Sequence, residues 1–107
     1  MVLPDTLKSV IINADKDAFN PKSLLKLLNL EVLKIYGDAT PFWKCDFSHM
    51  TQLREVHFEG DFITQWNDSM DKLGNLTYVV ISAELKKIPG SFFKGCTKIT
   101  YLNLDVR

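Results

Sequence analysis

Leu7, Leu30, Leu53, Leu76 and Ile99 stand 23 residues apart. Three places after each comes Val10, Leu33, Val56, Val79 and Leu102, and two places further Ile12, Ile35, Phe58, Ile81 and Leu104. Each register reads apolar-x-x-apolar-x-apolar, without an inserted residue between one copy and the next. A fixed period of this length describes supersecondary units that cannot bury an apolar face alone and must stack on their neighbours.

The alternation at the fourth and sixth places is the period-2 signal of a short strand, with its apolar residues facing in and the intervening residues facing out. The rest of each repeat must return the chain to the start of the next strand. In the first return Asn20 suits an N-cap and Pro21 the first helical position, and Leu24 and Leu27 follow at i, i+3. This return is expected to hold a helix of more than two turns, the others single or 3₁₀ turns. The corresponding core positions later are Phe47 and Met50, Met70 and Leu73, and Phe93 and Cys96, with Gly74 and Gly95 at the expected helix ends. Phe19, Phe42 and Ile88 share a further place. Gln65 breaks that series, so the third repeat is expected to have the least regular outer side.

The repeated Leu-x-x-Leu-x-Leu core resembles the leucine-rich repeat family over about residues 7 to 104. The resemblance implies an α/β solenoid of 23-residue period, with parallel strands on a concave face and short helices or turns on the convex side. The unit Ile88-Pro89-Gly90-Ser91-Phe92-Phe93-Lys94-Gly95-Cys96-Thr97-Lys98-Ile99 is similar to the Ile-Pro…Phe…Gly-Cys-x-x-Leu pattern of the BspA-like subfamily. That subfamily is common on bacterial surfaces and in some parasitic protists, which implies a cell-surface or secreted protein concerned with adhesion or protein binding. One departure stands out. Many leucine-rich repeats place Asn three residues after the last strand apolar, where this chain has Asp15, Asp38, Asp61 and Glu84. Three readings stay open: water-facing turns, which the repulsion of stacked like charges favours; carboxylates accepting backbone N–H groups as asparagine would; and calcium held between rungs.

Residues 1–107 read as a single leucine-rich-repeat domain with repeats starting at 7, 30, 53, 76 and 99. Neither end resembles a capping unit. A fragment of a longer solenoid is the expectation; self-association through uncapped ends, or ends simply tolerated, are the alternatives.

The outward strand residues form three columns: Ser9, Val32, Glu55, Tyr78, Tyr101; Ile11, Lys34, His57, Val80, Asn103; and Asn13, Tyr36, Glu59, Ser82, Asp105. Five strands at about 4.8 Å spacing give a surface roughly 20 Å long, suited to a loop, peptide or short glycan. Tyr36, Glu55, His57, Glu59, Tyr78 and Tyr101 are the candidate ligand-binding residues, because tyrosine buries much area while keeping a polar tip. The competing reading is an ordinary solvated sheet face.

Thirteen basic residues balance thirteen acidic ones, so the basic excess of a nucleic-acid binder is missing, as is a polybasic membrane anchor. No apolar run approaches the roughly 18 residues of a membrane span. Cys45 and Cys96 fall two rungs apart, beyond disulfide reach, and are expected as free thiols. Trp43 and Trp66 share one place and are expected to pack on the outer side. His49 and His57 have no serine, cysteine or acid placed by the period to form a triad, and no phosphate loop or His-Glu-x-x-His occurs. Two glycosylation sequons, Asn67-Asp68-Ser69 and Asn75-Leu76-Thr77, bear on function only in a eukaryotic secretory host. The expectation is a non-enzymatic module without cofactor or metal, binding a protein or glycan through its concave sheet. The alternative is a structural or adhesive spacer.

Overall fold

The alternating apolar places become five strands in one all-parallel sheet. β1 (Ser9–Asn13), β2 (Val32–Tyr36), β3 (Glu55–Glu59), β4 (Tyr78–Ala83) and β5 (Tyr101–Val106) lie side by side in chain order. The structure, a computed structural model, describes residues 3–15, 20–38, 40–60, 67–83 and 91–106. Among these, the connections hold two one-turn helices, α1 (Pro21–Leu24) and α2 (Thr40–Trp43), and a 3₁₀ helix at Asp68–Lys72.

Every residue of β1 to β4 pairs with the residue 23 positions on: Val10 with Leu33, Leu33 with Val56, Val56 with Val79, Val79 with Leu102. Like places therefore meet like places, and the inward column closes into a core. Leu33, Ile35, Val56, Phe58, Val79 and Ile81 are fully buried on the central strands. The outer strands have a neighbour on one side only. Accordingly Val10 and Leu104 are half-buried, and Leu102, expected in the core, is 46% exposed.

The returns differ from expectation in one respect. α1 begins as the sequence indicates, with the Asn20 side chain accepting from the Lys22 N–H at 3.0 Å and Pro21 opening the turn. It ends after Leu24 and does not exceed two turns. Beyond it the backbone bonds tighten to i→i−3, from Leu27 to Leu24 and from Leu30 to Leu27. The same bonds join Met50 to Phe47 and Leu53 to Met50, then Leu73 to Met70 and Leu76 to Leu73, then Cys96 to Phe93. A backbone of three residues per turn carries every third side chain to one face. Leu24, Leu27 and Leu30 are thus all buried, while Leu28, which an α-helix would bring beside Leu24, is 51% exposed. In the fourth return Phe92 takes the buried place, and Phe93, the expected core residue, packs half-buried beside it.

Aromatic rings fill the space between sheet and returns. Trp43 is buried, edge-on to Phe58 at 5.1 Å and stacked with Phe92 at 6.1 Å, which confirms its packing role. Phe42 is buried with it. Trp66, Phe19, Gln65 and Ile88 lie outside the described residues, as does the outer side of the third repeat at 61–66. Cys45 and Cys96 are not joined in a disulfide, and Cys96 sits in the core with its thiol donating to the Met70 carbonyl at 3.1 Å.

Polar side chains tie successive turns to one another. Asn67 donates its side-chain amide to the carbonyls of Trp43 and Cys45 and accepts from the Ser69 N–H at 2.9 Å. Ser69 Oγ in turn accepts from the Phe47 N–H at 2.9 Å. At the strand starts Asn29 donates to the Asp5 carbonyl and Asn75 to the Thr51 carbonyl. In the acidic column, Asp15 accepts the Asp38 N–H at 3.2 Å, as the asparagine-like reading requires, although both residues are also exposed to water. Asp15 lies against Gly37, whose φ of 93° and missing Cβ leave room for the carboxylate. Asp61 and Glu84 lie outside the described residues. No group of three potential metal ligands occurs among the described residues.

Gly74 and Gly95 follow helical turns as expected, but neither takes the left-handed conformation of a helix cap. Gly95 serves a close approach instead, since a Cβ there would stand 1.9 Å from the Asp71 carbonyl oxygen. Gly95→Ala is expected to destabilise the fold by about 1–3 kcal/mol through overpacking. Gly74→Ala, whose Cβ would meet Gly95 O at an ordinary 3.7 Å, is expected to change little. Urea denaturation of the two variants checks the contrast. Asn67→Ala is expected to lower stability by about 1–3 kcal/mol, because it removes a cap and two side-chain bonds to the preceding turn. Denaturation of Asn67→Ala beside Asn29→Ala, which loses a single exposed bond, measures it.

Candidate functional site

The outward columns of the sheet gather the candidate residues on one surface. Glu55, His57 and Glu59 alternate along β3, half-buried; Tyr36 on β2 and Tyr78 on β4 are also half-buried, and Tyr101 on β5 is exposed. Register places Tyr78 opposite both Glu55 and Tyr101, and Tyr36 opposite Glu59.

Three rings form a continuous stack. Tyr78 and Tyr101 lie nearly parallel, with centroids 4.4 Å apart and planes 6° from each other. His57 covers the other face of Tyr78 at 5.2 Å and 21°. This second contact is diagonal, because the direct partner of His57 on β4 is Val80. Tyr36 stands two columns away, beside Glu59, and extends the aromatic surface without entering the stack.

The electrostatics follow from this crowding. Burial pushes the His57 imidazole below its usual pKa, Lys34 beside it acts in the same direction, and Glu55 and Glu59 pull the other way without prevailing. His57 is therefore a neutral ring at pH 7, with its Nε2 buried and without a hydrogen-bond partner. The Tyr78 phenol is pushed above its usual range by burial, then by the neighbouring Tyr101 phenol, and by Glu55. With His57 neutral, Glu55, Glu59 and Asp105 outweigh Lys34, so the surface is acidic although the whole chain is neutral. Ser82 ties the edge of the patch by donating to Asp105 at 3.2 Å.

Three further residues shape the site. Lys34 pairs in register with His57, a relation already contained in the 23-residue spacing. Val80 is buried on the outward face, which alternation alone does not predict, and gives the patch an apolar floor. Ile11 leaves that same column 66% exposed at the β1 end. The cysteines stand apart from this surface, and burial raises both thiols above the ordinary range, which keeps them protonated. Chemically the surface offers flat rings, carboxylates and one ammonium.

Comparison with known proteins finds no matching family model, no matching curated protein and no matching solved structure.

The depressed His57 pKa makes stability depend on pH in a defined sense. Below about pH 6.5 an unfolded chain protonates this imidazole, while the folded chain resists doing so. The stability contributed by neutral His57 is thus complete above about pH 6.5 and declines as pH falls toward the folded value. Proton NMR titration is expected to give His57 a pKa under 6.5, and His57→Gln is expected to flatten the loss of stability as pH falls below about 6.5. A His57 pKa at or above 6.5 contradicts the packing described.

Proposed function

We propose that this chain is a leucine-rich-repeat solenoid of 23-residue period, akin to the BspA-like subfamily, and a non-enzymatic module that binds a protein partner or glycan through its concave sheet. The in-register pairing of residues 23 apart and the every-third-residue turns of the returns support the architecture. The observation that carries the functional reading is the His57–Tyr78–Tyr101 stack, a rigid aromatic run on the solvent side of the sheet with Glu55, Glu59 and Tyr36 around it. Aromatic side chains held rigid lose little entropy on contact and recur as binding hot spots. A cell-surface or secreted setting rests on the BspA-like resemblance alone.

The second reading is a structural or adhesive spacer. It draws on β5, where Tyr101 and the inward Leu102 are exposed at the last strand of the sheet. Under that reading the chain forms concentration-dependent oligomers in solution, and its outward face holds no ligand.

Capture from host extract and surface glycans separates the two. The wild-type chain is run beside a Tyr36→Ala/Tyr78→Ala/Tyr101→Ala variant matched to it in circular dichroism and solution mass. The expected outcome is a ligand retained by the wild type and weakened about tenfold or more by the variant, the loss typical of aromatic hot spots. Equal retention by both removes the binding site from this face.

A further inference from the structure

A second polar surface lies where the strands begin. Glu31, Arg54 and Thr77 each immediately precede a strand, and Gln52, Asn75 and Lys98 stand two residues before them in the neighbouring repeats. Together they line a groove of about 320 Å³ along one edge of the sheet, separate from the outward face that carries the tyrosines.

The groove's carboxylate is already engaged. Glu31 accepts from Arg54 Nε at 3.0 Å through one oxygen, and its other oxygen lies 3.7 Å from Lys8 Nζ. Arg54 spends only its Nε on this pair, which leaves the two terminal guanidinium nitrogens as donors. Lys98 spends one donor on Asn75 Oδ1 at 3.2 Å and keeps the rest of its ammonium for solvent or a ligand. Asn75 is held by this bond and by its own bond to the Thr51 carbonyl, so its amide is fixed in orientation. Thr77 is fixed likewise by donating to the Arg54 carbonyl at 3.2 Å. The result is an ammonium and the outer edge of a paired guanidinium, both with donors to spare, on a scaffold of immobilised amide and hydroxyl groups, with no unpaired carboxylate lining it. The charge has the opposite sign to that of the outward face.

We infer that this groove is a binding site for an acidic saccharide, one that carries carboxylate or sulfate groups on successive sugars. Arg54 and Lys98 belong to repeats two rungs apart, on the order of 10 Å by strand spacing. A single oxyanion does not span that distance, whereas an extended chain reaches both. The guanidinium fork suits a planar carboxylate or a sulfate edge, and the ammonium suits a point charge. Gln52, Asn75 and Thr77 between them supply donors and acceptors for ring hydroxyls. All the lining residues are polar, and none is aromatic, which suits a hydroxyl-rich chain better than a peptide with apolar side chains. This site is independent of the outward face, so either can fail without the other.

The test is a titration of isotopically labelled full chain, followed by amide NMR at low ionic strength. The probes are a sulfated uronate disaccharide prepared from heparin, lactose, and a tetraglutamate peptide. The disaccharide is expected to shift the amides of Gln52, Arg54, Asn75, Thr77 and Lys98, with lactose giving no effect and tetraglutamate binding more weakly. Arg54→Gln and Lys98→Gln are each expected to weaken the disaccharide about tenfold or more, the loss of a charge-assisted bond. Arg54→Lys, which keeps the charge and loses the fork, is expected to fall between. Lys22→Gln, on the α1 turn, is expected to match wild type. Arg54 and Lys98 are exposed, and thermal melts of the variants check that the fold is intact. Absence of groove shifts, or an equal loss in Lys22→Gln, overturns the site. Tetraglutamate binding as tightly as the disaccharide overturns the saccharide assignment.

Discussion

Each strand in this sheet meets its neighbour with a fixed offset, so a side chain lies beside its own counterpart from the preceding turn. The rest of the structure depends on that parallel register. It turns each place of the repeat into a column, and the residue types down a column become a single physical decision. The column of Val10, Leu33, Val56 and Val79 builds the core. The column of Glu55, Tyr78 and Tyr101 builds a surface. A slip of one residue in any return would exchange the two, since strand side chains alternate between faces. The constancy of the spacing is therefore a condition of burial.

The returns satisfy this constraint by economy of backbone. A run of i→i−3 turns delivers Leu24, Leu27 and Leu30, or Met70, Leu73 and Leu76, to the same interior face within a short span. Successive turns pack closely enough that Gly95 has no room for a side chain against Asp71. They are tied to one another by amides that bridge to the previous turn's carbonyls. Asn67 makes two such bridges, to the carbonyls of Trp43 and Cys45. Asp15 does a reduced version of the same task, accepting without donating.

Much of this was legible in the sequence. The five strands, their register and inward columns follow from apolar spacing alone, as does the Asn20 cap. The length of α1 did not follow, because apolar residues at i, i+3 suit both a 3.6-residue and a 3.0-residue turn. Leu28 reads as the i+4 partner that would choose the α-helix, yet it faces water. The choice belongs to packing against the next return. On the outward face the Tyr78–Tyr101 contact could be foreseen from register. The His57–Tyr78 contact could not, because it is diagonal and depends on how the side chains lean. Burial of Val80 beside those rings was hidden for the same reason. The groove at the strand starts falls on polar columns, one of them changing from Glu31 to Arg54 to Thr77, and apolar periodicity carries no signal for polar places.

Pairing confined to neighbours in the chain also decides how the molecule would answer to mechanical load. Among the described residues each strand is bonded only to the one before and the one after it in sequence. Tension along the chain would then draw out one turn at a time, each release exposing the next and lengthening the molecule by one repeat. A sheet paired in this way gives way strand by strand instead of all at once.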